Sequence, residues 1–312
     1  MTAPTDPTAE SGPGARPRCG VVAILGAPNA GKSTLLNRLV GSKVSIVTHK
    51  VQTTRSRVRG IAIDGDSQIV FIDTPGIFTP KRRLERAMVA AAWAALADAD
   101  EVVLLTDVTR RDVDPDTRLI IDGLKERGQR VALALNKIDL IQRERLLELA
   151  RGFEAEGVFS RIFMISAVTG DGVGDLCRAL AAAMPEGPWL YPEDQLSDLP
   201  LRLLAAEVTR EKLFLRLHQE LPYSLTVETE DWQDFDDGSV RIEQTVYVAR
   251  EAHKPICLGK GGRTIKAVRE AAQTELEGLL DRKTHLFLRV KVRAKWLEDP
   301  ARYRAWGLEF EV

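Results

Sequence analysis

The chain has 312 residues, of which 44% are hydrophobic and 29% are charged. This length accommodates two domains that each bury a core, and the composition is that of an ordinary globular protein. No stretch approaches the apolar length that a membrane-spanning helix needs, which argues against an integral membrane protein. The three cysteines form no CxxC pair, which favours free thiols in the cytoplasm.

Residues 1–18 combine Pro, Gly and small polar residues without an apolar stripe. The segment lacks both the apolar core of a signal peptide and a surface that could pack, so we predict a disordered tail. Asp6 and Glu10 argue against a transit peptide, because such peptides avoid acidic residues.

Five apolar, β-rich runs then alternate with segments of helical period. The runs lie at 21–25, 69–72, 102–105, 131–135 and 162–165, and helical patterns begin near 32, 83, 116, 143 and 173. This alternation is typical of an α/β domain with helices on both faces of a mostly parallel sheet. We expect that domain over residues 19–184.

Four prolines between residues 185 and 200 predict a linker, and the order of elements changes beyond it. A helix at 201–219, strands at 224–229 and 239–249, two helices around 259–262 and a strand at 285–292 predict an α+β domain over 201–312.

Charge is segregated within this second domain. Residues 226–237 include six acids and no base, whereas residues 241–304 hold 15 basic and 8 acidic residues. The basic surplus fits either an RNA-binding surface or a solvated helix face, and charge alone does not decide between them.

The segment GAPNAGKS, from Gly26 to Ser33, fits the pattern GxxxxGK[ST] between the first strand and the first helix. Backbone N–H groups and the helix N-terminus can surround phosphates there, Lys32 can reach the β and γ oxygens, and Ser33 can ligate Mg²⁺. A glycine-rich turn formed by chance is the alternative.

Three further motifs follow predicted strands. In DTPG, Asp73 can hold Mg²⁺ through water and the Gly76 N–H can meet the γ-phosphate, although DTPG by itself also fits a simple turn. In NKID, Asp139 can accept hydrogen bonds from guanine N1–H and N2–H₂, which adenine does not offer, so GTP is favoured over ATP. The weak dipeptide Ser166–Ala167 can supply an N–H to guanine O6.

The tetrapeptide QTTR, residues 52–55, falls in a polar stretch where a switch loop is expected. One of its threonines can complete the Mg²⁺ shell. We favour Thr54, with Thr53 as the alternative.

Together, GAPNAGKS, QTTR, DTPG, NKID and SA resemble the motifs of the translation-factor-related GTPases, in the Era-like branch, over residues 20–183. The resemblance implies GTP/GDP and Mg²⁺ as ligands. Ile77 stands where a Ras-type enzyme has a water-orienting glutamine, so hydrolysis must be arranged otherwise. Asn29 is a candidate ligand for K⁺, which related Era-like GTPases need; in the alternative interpretation its side chain caps the loop.

The segment 257–265, CLGKGGRTI, resembles the KH signature at a helix–loop–helix junction. Glycines allow close approach of a phosphate, Lys260 and Arg263 attract it, and the adjoining groove takes about four unpaired nucleotides. A GxxG that only joins two helices is the alternative.

A GTPase followed by a KH domain with an intact GxxG is the arrangement of the bacterial Era family, which ELPY at 220–223 and HKPI at 253–256 also resemble. The resemblance implies an α/β P-loop GTPase domain followed by an α+β type II KH domain. It implies binding near the 3′ end of small-subunit rRNA and GTP-dependent assembly of the small ribosomal subunit. Further expectations are a cytoplasmic location and peripheral association with the inner membrane surface.

The candidate residues form four sets. For the nucleotide they are Gly26, Ala27, Pro28, Asn29, Ala30, Gly31, Lys32, Ser33, Thr34, Asp73, Thr74, Pro75, Gly76, Asn136, Lys137, Asp139, Ser166 and Ala167. For the metal they are Ser33, Thr54 and Asp73, and for catalysis Lys32, Asn29 and Gly76. For RNA they are Leu258, Gly259, Lys260, Gly261, Gly262, Arg263 and Lys266.

Three other functions compete. A membrane-associated signalling switch would need an exposed amphipathic helix, and the candidate at 84–96 is expected to pack on the sheet instead. A tandem GTPase with a KH-like tail is disfavoured because the chain has one GxxxxGK[ST]. A tRNA-modifying GTPase would end in a cysteine motif that this chain lacks.

Overall fold

The computed structural model describes residues 16–50, 53–110, 113–218, 221–294 and 296–312. Residues 1–15 of the tail predicted at 1–18, Gln52 of the switch motif and Glu220 of the ELPY segment lie outside these ranges. No helix within them is long and apolar enough to cross a membrane.

A six-stranded sheet organises the first part of the chain. Its strands are β1 Arg18–Gly26, β2 Val58–Asp64, β3 Ser67–Asp73, β4 Glu101–Asp107, β5 Val131–Asn136 and β6 Phe159–Ile165. The spatial order is β2-β3-β1-β4-β5-β6, and every neighbouring pair is parallel except β2 with β3. The mostly parallel sheet is confirmed, and the carboxyl ends of its parallel strands lie at one edge.

Helices cover both faces of this sheet. They are α1 Lys32–Val40, α2 Arg83–Ala94, α3 Pro115–Glu126, α4 Arg143–Glu154 and α5 Val173–Ala183. Side chains of α1 and α5 pack with Val22 and Ile24 of β1, whereas those of α2, α3 and α4 pack with Ala23 and Leu25 on the other face. Because β1 is buried on both faces, it is apolar without alternation.

Strand β2 was not predicted. It pairs antiparallel with β3 along its whole length through a turn that contains Gly65 at φ 58°. An Asp-Gly pair between two strands is a hairpin signal, so this hairpin could have been predicted from residues 64–65. The strand gives the sheet its outer edge. It leads the chain from the loop between α1 and β2, here called the switch segment, back to β3.

The residues predicted to form the linker lie against this sheet. The Cys19 N–H donates to the Pro185 carbonyl over 3.1 Å, and the Ile61 N–H donates to the Leu196 carbonyl over 2.9 Å. Strand β1 also begins at Arg18, inside the segment predicted as a disordered tail, because Arg18 pairs with Ser67 of β3 and forms a bridge with Glu186 of the linker. Backbone groups of the linker thereby satisfy those of β1 and β2.

The second part of the chain has the predicted order of elements. They are α6 Leu201–Arg216, β7 Leu225–Asp234, β8 Val240–Val248, α7 His253–Leu258, α8 Arg263–Leu280 and β9 Thr284–Val292. The sheet order is β7-β8-β9, with β7 and β8 antiparallel and β8 and β9 parallel. Helices α6 and α8 bury one face of this sheet.

A short helix that was not predicted, α9 Pro300–Ala305, follows β9. It joins the two parts of the molecule, because Tyr303 and Leu308 pack against Leu84 and Met88 of α2. The other face of α2 packs on the first sheet through Ala92. The expectation that this helix packs on the sheet is confirmed, and its remaining apolar face is covered by the C-terminal segment.

Candidate functional site

The phosphate-loop motif forms the turn between β1 and α1, at the carboxyl edge of the sheet. Asn29 and Gly31 adopt the left-handed region, at φ 65° and 103°. A Cβ on Gly31 would lie 2.4 Å from the Asn136 side-chain nitrogen, so the loop needs glycine there both for its backbone and for space. The loop therefore turns tightly at the start of α1, where backbone N–H groups can surround an anion.

Lys32 is buried inside this loop. Its Nζ donates to the Gly26 and Ala27 carbonyls, each over 3.0 Å. Burial lowers the pKa of Lys32 to about 8, and the charge of Asp73 opposes that shift. The loop holds the ammonium group where phosphate oxygens of a nucleotide would strengthen its charged form.

Three oxygen groups from separate motifs meet beside the loop. Ser33 Oγ donates to Asp73 Oδ2 over 2.6 Å, and Thr54 Oγ1 lies 3.0 Å from Ser33 Oγ and 3.3 Å from the same carboxylate oxygen. Asp73 is fully buried, which raises its pKa, and its Oδ1 has no hydrogen-bond partner among the described residues. Two hydroxyls beside a buried, half-satisfied carboxylate fit a Mg²⁺ ion, which prefers oxygen ligands.

The structure separates the two threonine candidates. Thr53 Oγ1 donates to the Lys50 carbonyl over 2.6 Å and lies 2.6 Å from Thr48 Oγ1, away from Ser33 and Asp73. Thr54 is the threonine in contact with the proposed metal ligands. The geometry supports Thr54 over Thr53.

Replacing Thr54 by alanine removes one oxygen ligand of the Mg²⁺ ion. We expect the Mg²⁺ concentration that half-saturates GTP hydrolysis to rise about 10-fold, which corresponds to a loss of about 1.4 kcal/mol in binding free energy. Thr53→Ala is the matched control and should leave that concentration unchanged. Titration of steady-state hydrolysis with MgCl₂ measures both. A larger shift in the control than in Thr54→Ala would contradict the assignment.

The DTPG motif closes the phosphate side of the site. Thr74 Oγ1 donates to the Ile24 carbonyl over 2.7 Å and is fully buried, so this hydroxyl fixes the turn to β1 instead of facing a ligand. Gly76 lies against the loop, where a Cβ would come within 2.9 Å of the Pro28 nitrogen. Ile77 is buried in the core, consistent with its lack of a catalytic group.

Asn136 joins three motifs through its side chain. Its Nδ2 donates to the Ala30 carbonyl over 2.8 Å, and its Oδ1 accepts from the Ala167 N–H over 3.0 Å. Lys137, in the left-handed region at φ 70°, forms an ion pair of 2.5 Å with Asp107. Asp139 follows in a short 3₁₀ turn and is exposed. Asn136 of this motif therefore holds the phosphate loop in place, and the carboxylate of Asp139 is exposed to solvent.

The dipeptide Ser166–Ala167 was predicted to offer an N–H to guanine O6. The Ser166 N–H donates to the Asp171 carbonyl over 2.9 Å, and the Ala167 N–H donates to Asn136. Both donors have acceptors within the protein, so contact with O6 requires the Ala167 N–H to be shared with Asn136. That contact stays a prediction.

A cavity of about 300 Å³ connects these motifs. Its lining residues are Pro28, Asn29, Gly31, Lys32, Ser33, Thr34, Ile46, Val47, Thr48, His49, Lys50, Thr53, Thr54, Gly76, Lys137 and Val168. The phosphate loop, the switch segment and the NKID motif therefore face one space, as a nucleotide site requires.

The GxxG loop lies between α7 and α8 in the second part. Gly259, Gly261 and Gly262 all have positive φ, and a Cβ on Gly259 would meet Thr264 Oγ1 at 2.2 Å. The side chains of Lys260, Arg263 and Lys266 are exposed around the loop, and Leu258 is half-buried beneath it. The loop presents cations on a glycine backbone that a phosphate can approach closely.

Sequence reasoning missed two polar residues of the site. Ser45 Oγ donates to Asp73 over 2.9 Å, and Asp107 at the end of β4 pairs with Lys137. Asp107 could have been found, because polar residues at the carboxyl ends of parallel strands meet at one edge. Ser45 lies in an irregular loop, and no sequence signal marks it.

Comparison with known proteins agrees with this geometry. Residues 21–137 match the family described as 50S ribosome-binding GTPase, and residues 220–297 match the KH domain family. GTPase Era of Rhizobium meliloti (strain 1021) is 58% identical to this chain over 307 residues, which cover 98% of each protein.

Two solved structures resemble the whole molecule. One is an Aquifex aeolicus Era variant bound to GDP and AlF4−, with 38% identity and a TM-score of 0.86. The other is Era in complex with MgGDPNP and nucleotides 1506–1542 of 16S ribosomal RNA, with 38% identity and a TM-score of 0.87. Each match covers 93% of this chain and 99% of the other.

Both domains occur in the predicted order, and the identity extends over nearly the full length of the R. meliloti relative. The predicted fold class, a mostly parallel α/β GTPase domain followed by an α+β KH domain, is confirmed. The chain belongs to the Era family of GTPases.

Proposed function

We propose that this chain hydrolyses GTP with Mg²⁺ at the phosphate loop, binds the 3′ region of small-subunit ribosomal RNA through its KH domain, and acts in assembly of the small ribosomal subunit. The observation that carries the proposal is the coexistence, in one chain, of the Ser33, Thr54 and Asp73 cluster and an exposed GxxG loop. The proposal keeps the division into residues 19–184, 185–200 and 201–312.

Substrate binding follows from the loop geometry. The N–H groups at the start of α1 and the Lys32 ammonium group surround the β- and γ-phosphates, and the Gly76 N–H orients the γ-phosphate. Ser33, Thr54 and Asp73 are the residues that would hold Mg²⁺, Ser33 and Thr54 through their hydroxyls and Asp73 through water. When bound there, the ion would supply positive charge that offsets the negative charge developing between the β- and γ-phosphates.

Base selection rests on Asp139. The Asn136 side chain fixes the loop that carries Asp139, and the carboxylate accepts the two N–H donors of guanine. Adenine would leave the carboxylate without those donors, so ATP is rejected.

Hydrolysis is expected to be several-fold faster in K⁺ than in Na⁺ at equal ionic strength, because a cation beside the phosphates offsets transition-state charge. The Asn29 side chain is exposed in the phosphate loop and makes no hydrogen bond within the described ranges, which favours a ligand role over a capping role. Asn29→Ala should abolish the difference between the two salts. Equal rates of wild-type hydrolysis in K⁺ and Na⁺ would leave Asn29 as a structural residue.

RNA contact is assigned to the GxxG loop and the groove beside it. Lys260 and Arg263 attract phosphate, and the glycine backbone lets it approach. The exposed Ile256 on α7 adds an apolar surface on which an unpaired base can lie.

Crosslinking the protein in cells and sequencing the attached RNA tests the proposal. Reads should concentrate at the 3′ end of the small-subunit rRNA, the region that corresponds to the RNA in the Era complex. Reads concentrated in large-subunit rRNA would instead favour binding to the 50S subunit, the activity named for the GTPase family that residues 21–137 match. Absence of rRNA reads would remove the RNA part of the proposal.

We place this activity in the cytoplasm, where ribosomal subunits are assembled. Peripheral contact with the inner membrane surface stays a prediction, and sedimentation with anionic lipid vesicles measures it. Protein that remains in the supernatant at low salt would contradict it.

A further inference from the structure

Ser45 belongs to none of the sequence motifs assigned to the nucleotide or to Mg²⁺, yet its hydroxyl reaches Asp73. Only 3% of Ser45 is exposed, and its Oγ donates to Asp73 Oδ2 over 2.9 Å. The next two residues, Ile46 and Val47, line the nucleotide cavity, whereas Ser45 is not among the described residues that do so. The Ser45 hydroxyl therefore meets the carboxylate inside the protein and not across the space that a nucleotide would fill.

The backbone around Ser45 is held by one side chain, that of Asn37 on α1. Asn37 Oδ1 accepts from the Val44 and Ser45 N–H groups, each over 2.9 Å, and Asn37 Nδ2 donates to the Ser45 carbonyl over 2.7 Å. A helix thus satisfies both backbone polar groups of a residue that lies in an irregular loop. With its backbone fixed in this way, the Ser45 hydroxyl has a defined position relative to α1.

A glycine at the end of α1 brings the loop back to Asn37. Gly41 lies in the left-handed region at φ 76°, and its N–H donates to the Asn37 carbonyl over 3.0 Å. An asparagine that only held this loop would need the backbone of residue 45 and not its side chain. The further contact from Ser45 Oγ to Asp73 is what extends the chain of hydrogen bonds to the metal candidates.

Helix α1 holds Asp73, a residue of β3, by two routes. Ser33, one turn before Asn37 on the same face of α1, donates directly to Asp73 Oδ2 over 2.6 Å, and Asn37 reaches the same oxygen through Ser45. The hydroxyls of Ser33 and Thr54 are the ones assigned to Mg²⁺. The Ser45 hydroxyl has no such assignment and is free to orient the carboxylate, as groups behind metal ligands commonly do.

We propose that Ser45 is a positioning residue that orients the Asp73 carboxylate for Mg²⁺, and that Asn37 acts on this site through Ser45. Ser45 holds Oδ2, while Oδ1 is buried and has no hydrogen-bond partner among the described residues. A buried carboxylate oxygen needs a partner, and Oδ1 is therefore the atom left to accept from water on the ion. The inference rests on the proposed function, because it takes Asp73 and Ser33 as residues that would hold Mg²⁺.

The affinity of the full chain for a fluorescent GDP derivative, measured in EDTA and over a series of MgCl₂ concentrations, tests this role without turnover. Ser45→Ala should raise the Mg²⁺ concentration that half-maximally strengthens GDP binding by about 10-fold, the lower end of the range for removing a group that orients a metal ligand. The affinity for GDP in EDTA should stay at the wild-type value, because Ser45 does not line the cavity.

Asn37→Ala tests the second step. By itself it should also raise the required Mg²⁺ concentration, because the backbone of residues 44–45 loses the hydrogen bonds that place the hydroxyl. Combined with Ser45→Ala it should add nothing, since Asn37 acts through a hydroxyl that is already removed. Effects that add in the double variant would show that Asn37 supports the loop independently and would overturn this step.

Ser67→Ala is the matched control. Ser67 is also buried, its Oγ donates to the Ala181 carbonyl over 3.1 Å, and it lies at the opposite end of β3 from Asp73. The variant loses a buried hydroxyl from the same strand and should keep the wild-type response to Mg²⁺. Ser45→Cys keeps a side chain in place but offers only a weak donor, so it should behave as Ser45→Ala does. A wild-type response in Ser45→Cys would assign the effect of alanine to lost packing and overturn the orienting role.

The outcomes separate the two proposals. Wild-type protein that does not bind GDP, or binds it without any response to Mg²⁺, would overturn the nucleotide and metal site of the proposed function. A response in the wild type that is unchanged in Ser45→Ala would overturn the role of Ser45 alone. An equal loss of GDP affinity in EDTA and in Mg²⁺ in Ser45→Ala would show that the residue supports the fold of the loop and would also overturn its orienting role.

Discussion

Asp139→Asn is expected to lower the affinity for GTP by at least about 1,000-fold and to raise the affinity for xanthosine triphosphate. A carboxylate that accepts both guanine donors discriminates strongly between bases, because a base without those donors covers the carboxylate and leaves it unpaired. An asparagine offers one donor and one acceptor, which matches the second carbonyl of xanthine better than the amino group of guanine. Equilibrium titration with fluorescent derivatives of both nucleotides measures the exchange.

The control for this variant is Glu144→Gln, which makes the same chemical change on the exposed first turn of α4. It should leave both affinities unchanged. Gain of xanthosine triphosphate binding by Asp139→Asn would also show that the variant is folded. Wild-type affinity for GTP in Asp139→Asn would remove Asp139 from the base site.

Gly261→Asp is expected to weaken RNA binding by about 100-fold, since a carboxylate at the loop repels the phosphate and fills the space that it needs. The substitution should be tolerated by the fold. A Cβ at Gly261 meets nothing within 4 Å, and the backbone at φ 61° suits aspartate better than most residues. GTP hydrolysis measured without RNA should remain at the wild-type rate.

Gly278→Asp adds the same charge to an exposed position near the far end of α8 and serves as the control. Fluorescence anisotropy with the 3′ rRNA fragment at several salt concentrations compares the two variants. The wild-type affinity should fall steeply with salt because counterions are released from the phosphates. An equal loss in both variants would indicate a general effect of charge and would contradict a specific role of the loop.

The sequence was sufficient to predict the elements and motifs whose geometry depends only on neighbouring residues. The strands of the parallel sheet are apolar because both faces are buried, and the GxxxxGK[ST] motif requires left-handed residues and a helix start. Order and spacing of NKID and GxxG also predicted that Asp139 follows a strand of the sheet and that Lys260 lies between two helices, where the structure has them. The start of β1 differs from the prediction because Arg18 pairs with Ser67 of β3 and bridges to Glu186, both remote in the chain.

Only the tertiary structure decided the contacts between distant segments. Ser45 joins Asp73 because the switch segment folds over the sheet edge, and no repeat or spacing in the sequence encodes that approach. The choice of Thr54 instead of Thr53 as the candidate metal ligand also depends on the tertiary structure. The two side chains are chemically identical, and only the backbone decides that Thr54 faces Ser33 while Thr53 faces Thr48. In the sequence Arg55 is one more polar loop residue, and only the structure shows that Trp296 and Trp306, 241 and 251 positions later, lie around its guanidinium group. Local sequence patterns were therefore enough to predict the two candidate ligand sites. Long-range packing, which a linear pattern does not contain, decided how the segments that carry them are connected.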